Sequence, residues 1–123
     1  TLAFWHDPRF ASGGPGNDAE MTAFWNDLQA ADADVVLNGH FHVYERFAPQ
    51  DGSGHATPLG LRQFTVGTGG RSLAAFGSVA ANSEVRLNQS FGVLKMTLRP
   101  TSYEWQFIPT TGSQGDAGSD TCH

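Results

Sequence analysis

Three histidines in the first part of the chain are of the residue type that binds transition metals. His40 and His42 stand two positions apart in Gly39-His40-Phe41-His42-Val43-Tyr44-Glu45-Arg46, and His6 closes the apolar run Leu2-Ala3-Phe4-Trp5. Neutral imidazole is the commonest protein ligand for zinc, iron and manganese-type ions. In extended backbone, residues two apart leave the same face, so His40 and His42 are expected to chelate one ion or to reach two adjacent ones. Two close ions suit the hydrolysis of a phosphate ester, because they polarise the phosphoryl oxygens and hold a hydroxide in line with phosphorus. His6, His40 and His42 supply the histidine part of such a site, with His42 also a candidate to help the leaving group depart. The carboxylate part is not evident. Asp7 is expected to point to the opposite side from His6 if the strand continues, and Glu45 to pair with Arg46 or a neighbouring backbone donor.

The elements that must position these residues follow from hydrophobic pattern. Leu2 to Trp5 reads as a strand buried on both faces, ended by Asp7-Pro8, and Phe10 to Gly16 as a Gly/Ser/Pro loop. Asn17 with Glu20 three residues on is a capping box, and the spacing of Met21, Phe24, Trp25, Leu28 and Ala31 predicts a helix whose apolar stripe packs on a sheet. Val35 to Leu37 is a second buried strand. Strand, helix and strand in this order favour parallel pairing through a crossover. Ligands in open α/β sheets gather at the carboxyl ends of the strands, where His6 and His40 both fall, with His42 on the same loop. Further on, Leu61 to Val66 reads as a strand running into Gly67-Thr68-Gly69-Gly70, Arg71 to Ser90 as a loop, and Phe91 to Leu98 with Tyr103 to Ile108 as an antiparallel hairpin. The Gly/Ser/Asp-rich segment 110–123 is expected to be a loosely ordered tail.

Composition narrows the function classes. The 123 residues carry 39% hydrophobic residues, enough for the core of one globular domain. A formal charge of -5 with seven Lys and Arg argues against a protein that coats nucleic acid or binds membranes through basic clusters. Positive charge for an anionic substrate would then come mainly from bound metal. No apolar run reaches the roughly 18 residues that span a bilayer. The chain opens on an apolar strand without Met or a signal-peptide pattern, which leads us to expect a piece of something longer. Cys122 is the single cysteine, either a free thiol or half of a bridge whose partner lies elsewhere.

Taken in order, Trp5-His6-Asp7-Pro8, Gly39-His40-Phe41-His42-Val43-Tyr44-Glu45-Arg46 and Phe64-Thr65-Val66-Gly67-Thr68-Gly69-Gly70 resemble the C-terminal half of a calcineurin-like metallophosphoesterase of the purple acid phosphatase-like branch. The resemblance covers essentially the whole chain, 1–123. It implies an α/β fold: the C-terminal half of a two-sheet sandwich flanked by helices, strand-helix-strand followed by mainly antiparallel strands. It implies a phosphatase-type hydrolase with two divalent or mixed-valence transition-metal ions, Fe, Zn or Mn, acting on a phosphate-ester substrate. His6 and His40 would serve one ion and His42 its neighbour. The family's earlier motifs, which supply the bridging Asp and an Asn ligand, are absent here, so the missing N-terminal half of the domain is an implied partner and this chain alone is expected to be inactive. Asp7 stands where many relatives carry a second, phosphate-binding histidine. The resemblance also favours a partner for Cys122 outside the chain and a secreted or periplasmic location.

Other conspicuous residues have structural expectations. His55 and His123 lie in a loop and at the terminus; Phe24 and Trp25 belong to the helix stripe, and Trp105 is expected to be buried against the sheet. Gly67 to Gly70 lacks the Lys-Ser/Thr ending of a P-loop. Arg9 and Arg71 follow strands and are candidate substrate-side cations, with solvation the default for either. The alternative to a hydrolase is an inactive binding or interaction module with a vestigial metal site. A serine hydrolase is set aside, since no Gly-x-Ser-x-Gly elbow occurs.

Overall fold

The apolar runs that open the chain pair as their pattern predicts. The computed structural model describes residues 1–14, 16–112 and 115–123. β1 (Leu2–Phe4) pairs in parallel with β2 (Val35–Asn38), which pairs in parallel with β4 (Arg62–Val66); β1 is not buried on both faces as expected, because it lies at the sheet edge and leaves Phe4 80% exposed. β3 (Tyr44–Phe47) runs antiparallel between β4 and β5 (Ser83–Leu87), giving a five-stranded sheet in the order β1-β2-β4-β3-β5. β6 (Gly92–Leu98), β7 (Ser102–Pro109) and β8 (Asp116–Thr121) form a three-stranded antiparallel sheet. Among the described residues one α-helix, α1 (Thr22–Ala30), accompanies the two sheets, where flanking helices were expected. It is too short to cross a membrane.

Alternation along the strands builds two cores. Val35, Tyr44 and Phe64 of the larger sheet meet Tyr103, Trp105 and Phe107 of the smaller one, so Trp105 is buried as expected. Val36 and Phe47 face the other way and pack with Leu61, Phe10 and Trp25 of α1. The Trp25 indole N–H donates to the Gln50 carbonyl, which satisfies the one polar atom that a fully buried tryptophan brings.

Four expectations are corrected here. The helix start is not an Asn17–Glu20 box: Asp18 caps a 3-10 turn over Ala19–Met21 by accepting from the Glu20 N–H, while Asn17 accepts from Ala11 N–H across the loop. The apolar stripe narrows to Trp25 and half-buried Met21 and Leu28, leaving Phe24, about 100° around the helix from Trp25, 60% exposed and Ala31 at the surface just past the helix end. The 71–90 loop contains β5, a short edge strand of mixed charge. The tail is a strand over Asp116–Thr121, held by pairing along β7. Of the segments involved, Ser113 and Gln114 of the tail and Pro15 of the first loop lie outside the described residues.

Charge joins β8 to the rest. The Arg46 guanidinium, the Tyr44 hydroxyl and the Trp105 indole N–H all donate to the Asp116 carboxylate, at 2.7, 2.6 and 3.0 Å for the shortest contacts. Arg46 also pairs with Glu84 of β5. Burial alone would raise the Asp116 carboxyl, but Arg46 and the Tyr44 and Trp105 donors overcome it and hold it below the ordinary carboxylate value. Burial, then the bond to Asp116, pushes the Tyr44 hydroxyl far up, so it stays a donor. A depressed carboxylate stabilises the fold fully above its unfolded pKa, about 3.9, and loses that contribution as pH falls through its folded value. Asp116→Asn should therefore cost about 2 kcal/mol at pH 7. Urea midpoints of the two proteins should converge as the pH falls below about 4.

Candidate metal centre

Three parallel strands deliver their carboxyl ends to one edge of the larger sheet, and the histidines follow those ends. His6 lies two residues past β1 and His40 two past β2. The two loops are tied together: the Gly39 N–H donates to the His6 carbonyl at 3.0 Å, and the Asn38 side-chain amide donates to the carbonyls of Trp5 and Asp7 at 3.1 and 3.3 Å. The His6 and His40 rings meet edge to face with centroids 5.1 Å apart.

Asp7 belongs to this group, contrary to expectation. Its Oδ1 lies 2.9 Å from His40 Nδ1, and one donor atom each from His6, Asp7 and His40 fall within 4.8 Å of one another. β1 ends at Phe4, so the strand alternation that would have turned Asp7 away does not extend to it. His6 and His40 are exposed and Asp7 half-buried, leaving the cluster open to an ion and a ligand.

His40 and His42 do not share an extended face. Phe41 N–H donates back to the Gly39 carbonyl at 2.6 Å and Val43 N–H to the Phe41 carbonyl at 2.8 Å, a succession of three-residue turns. His40 at their start has φ of 48°, a left-handed conformation that a residue with a Cβ seldom adopts. His42 is therefore placed outside the trio. Its Nδ1 lies 3.1 Å from the Ser72 carbonyl and its own carbonyl accepts from Ala74 N–H at 3.0 Å. A carbonyl only accepts, so this bond requires the proton on Nδ1 and leaves the Nε2 lone pair for an ion or a proton. The loop after β4 thus orients His42, a role that no local pattern in 71–74 signals.

Gly67 joins this loop to β4. Its N–H donates to the Val43 carbonyl, and an added Cβ would lie 2.0 Å from the Phe41 carbonyl oxygen. The remaining candidates have structural partners. Glu45 is fully buried and accepts from the Ser12 N–H and the Ser83 hydroxyl, so its partners are one backbone and one side-chain donor, both distant in sequence, and not Arg46. Arg9 donates to the Gly52 carbonyl and lies over the Phe10 ring. His55 pairs with Asp51, and His123 sits 3.5 Å from Asp34. Arg71 is exposed.

No protein-family model and no curated protein sequence matches the chain. Solved structures do. The purple acid phosphatase PPD1 from yellow lupin (Lupinus luteus) seeds superposes with a TM-score of 0.75 at 21% identity, over 96% of this chain and 24% of that one. GAP50, the anchor in the inner membrane complex of Plasmodium, superposes with a TM-score of 0.77 at 17% identity, over 96% of this chain and 35% of that one. The two-sheet, one-helix fold is thus that of part of a purple acid phosphatase, and the chain spans only a minor part of either protein.

Proposed function

We propose that the chain supplies the histidine side of a metal-dependent phosphoesterase centre. The observation that carries this reading is the convergence of His6, Asp7 and His40 within 4.8 Å at the ends of parallel strands, on a fold shared with a purple acid phosphatase. Bound iron, zinc or manganese ions would supply Lewis acidity toward phosphoryl oxygens and a nucleophile from water at neutral pH. His6 and His40 would hold one ion, tied in place by the Gly39 and Asn38 hydrogen bonds. His42, with its proton fixed on Nδ1 by the Ser72 carbonyl, would offer its Nε2 lone pair to the neighbouring ion. Further ligands, including a bridging carboxylate, would come from sequence outside this chain, since the structures it matches are several times longer.

The natural protein that carries this segment is expected to hydrolyse p-nitrophenyl phosphate, to lose that activity on chelation, and to regain it with added Zn²⁺, Mn²⁺ or Fe²⁺. A second reading is an anchoring or interaction module, supported by GAP50, an anchor with this fold. Absence of ion uptake together with no turnover of phosphate mono- or diesters would favour that reading.

A further inference from the structure

We infer that Asp7 is itself a metal ligand, and that His6, Asp7 and His40 hold one divalent transition-metal ion with donors contained wholly within this chain. Two imidazoles and one carboxylate make a set that suits Fe²⁺, Mn²⁺ or Zn²⁺ and leaves positions open for water or an anion. The spacing fits. Ligand atoms bound at about 2.0–2.2 Å to one ion lie roughly 3 Å apart when they are neighbours around it. Asp7 Oδ1 and His40 Nδ1 are 2.9 Å apart, and a nitrogen of the exposed His6 ring lies within 4.8 Å of both, so a small rotation of that ring brings it to the same ion.

An ordinary ion pair between Asp7 and His40 accounts for less. Both side chains are nearly half exposed, at 46% and 43%, and such pairs contribute at most about 1 kcal/mol. Holding His40 in the left-handed region costs about 1–3 kcal/mol, a strain that is typical of functional sites. Asn38 donates its side-chain amide to the carbonyls of Trp5 and Asp7, which ties the loop that carries His6 and Asp7 to the end of β2 beside His40. One carboxylate leaves a net charge of +1 on the loaded trio, so the site stays attractive to an anion. Asp7 then works with a phosphate site and does not repel its substrate.

The inference rests on the metal-centre part of the phosphoesterase reading and not on its chemistry, since ion uptake is measured without turnover. The test is calorimetric titration of the 123-residue chain with Zn²⁺ and an absorption titration with Co²⁺, each on the native chain and on Asp7→Asn. Asparagine keeps an oxygen that accepts from His40 Nδ1 and so preserves any purely orienting role, but it removes the anionic ligand. The native chain is expected to bind about one ion, and Asp7→Asn to bind at least about tenfold more weakly with an altered Co²⁺ d–d spectrum. Far-ultraviolet circular dichroism checks that the half-exposed substitution leaves the fold intact. No uptake by the native chain at micromolar metal, or equal affinity and an identical spectrum in Asp7→Asn, overturns the inference.

Discussion

The double substitution His6→Ala with His40→Ala in the natural protein is expected to remove an ion and to lower phosphate-ester turnover by more than about a hundredfold, several kcal/mol of transition-state stabilisation. Both rings are exposed, so the substitution deletes ligand atoms and not core volume. The fold should therefore survive, with the helix and sheet cores of Trp25 and Trp105 untouched and Tm changed by only a few degrees. Elemental analysis and steady-state kinetics measure the two effects separately. Loss of the ion with activity retained would move catalysis away from this cluster. Activity lost with ions retained would make the histidines substrate ligands instead.

Gly67→Ala is expected to cost about 3 kcal/mol and roughly 10 °C in Tm. The added Cβ would stand 2.0 Å from the Phe41 carbonyl oxygen and 2.9 Å from the His42 Cα. Both are backbone atoms, so no rotamer change relieves the contact, and β4 must move off the 39–43 turn or the turn must move itself. That turn carries His40 in its left-handed conformation and His42 on its bond to Ser72. The variant should therefore also bind metal more weakly, by about tenfold. Thermal denaturation followed by circular dichroism, with a metal titration below the transition, reads both effects. Native-like stability in Gly67→Ala would mean that the turn is plastic and does not hold the histidines.

Much of the scaffold was legible because its first part follows simple patterns. Leu2 to Phe4 and Val35 to Leu37 are continuous apolar runs on either side of a helical segment, and they do pair in parallel with His6 and His40 beyond their ends. The β6–β7 hairpin follows alternation equally well. What escaped has a common cause in tertiary contacts. β3 hides a fully buried Glu45 and half-buried Arg46, whose charges suggest solvent until Ser12, Ser83, Asp116 and Glu84 supply partners. β8 is polar and glycine-bearing, and it forms a strand because β7 gives it a ladder and Arg46, Tyr44 and Trp105 hold its first carboxylate. At the site, the two-residue spacing of His40 and His42 implies a shared face only in extended backbone. The left-handed His40 removes that condition, and the early end of β1 brings Asp7 to His40.

The most direct test of a metal centre built on these strand ends is the ion content of the natural protein after purification without added metal or chelator. The account predicts about two ions of iron, zinc or manganese per chain, falling when His6, His40 and His42 are replaced by alanine. A protein free of ions that takes up none on exposure to Fe²⁺, Zn²⁺ or Mn²⁺ would contradict it, and would leave the histidines as surface residues.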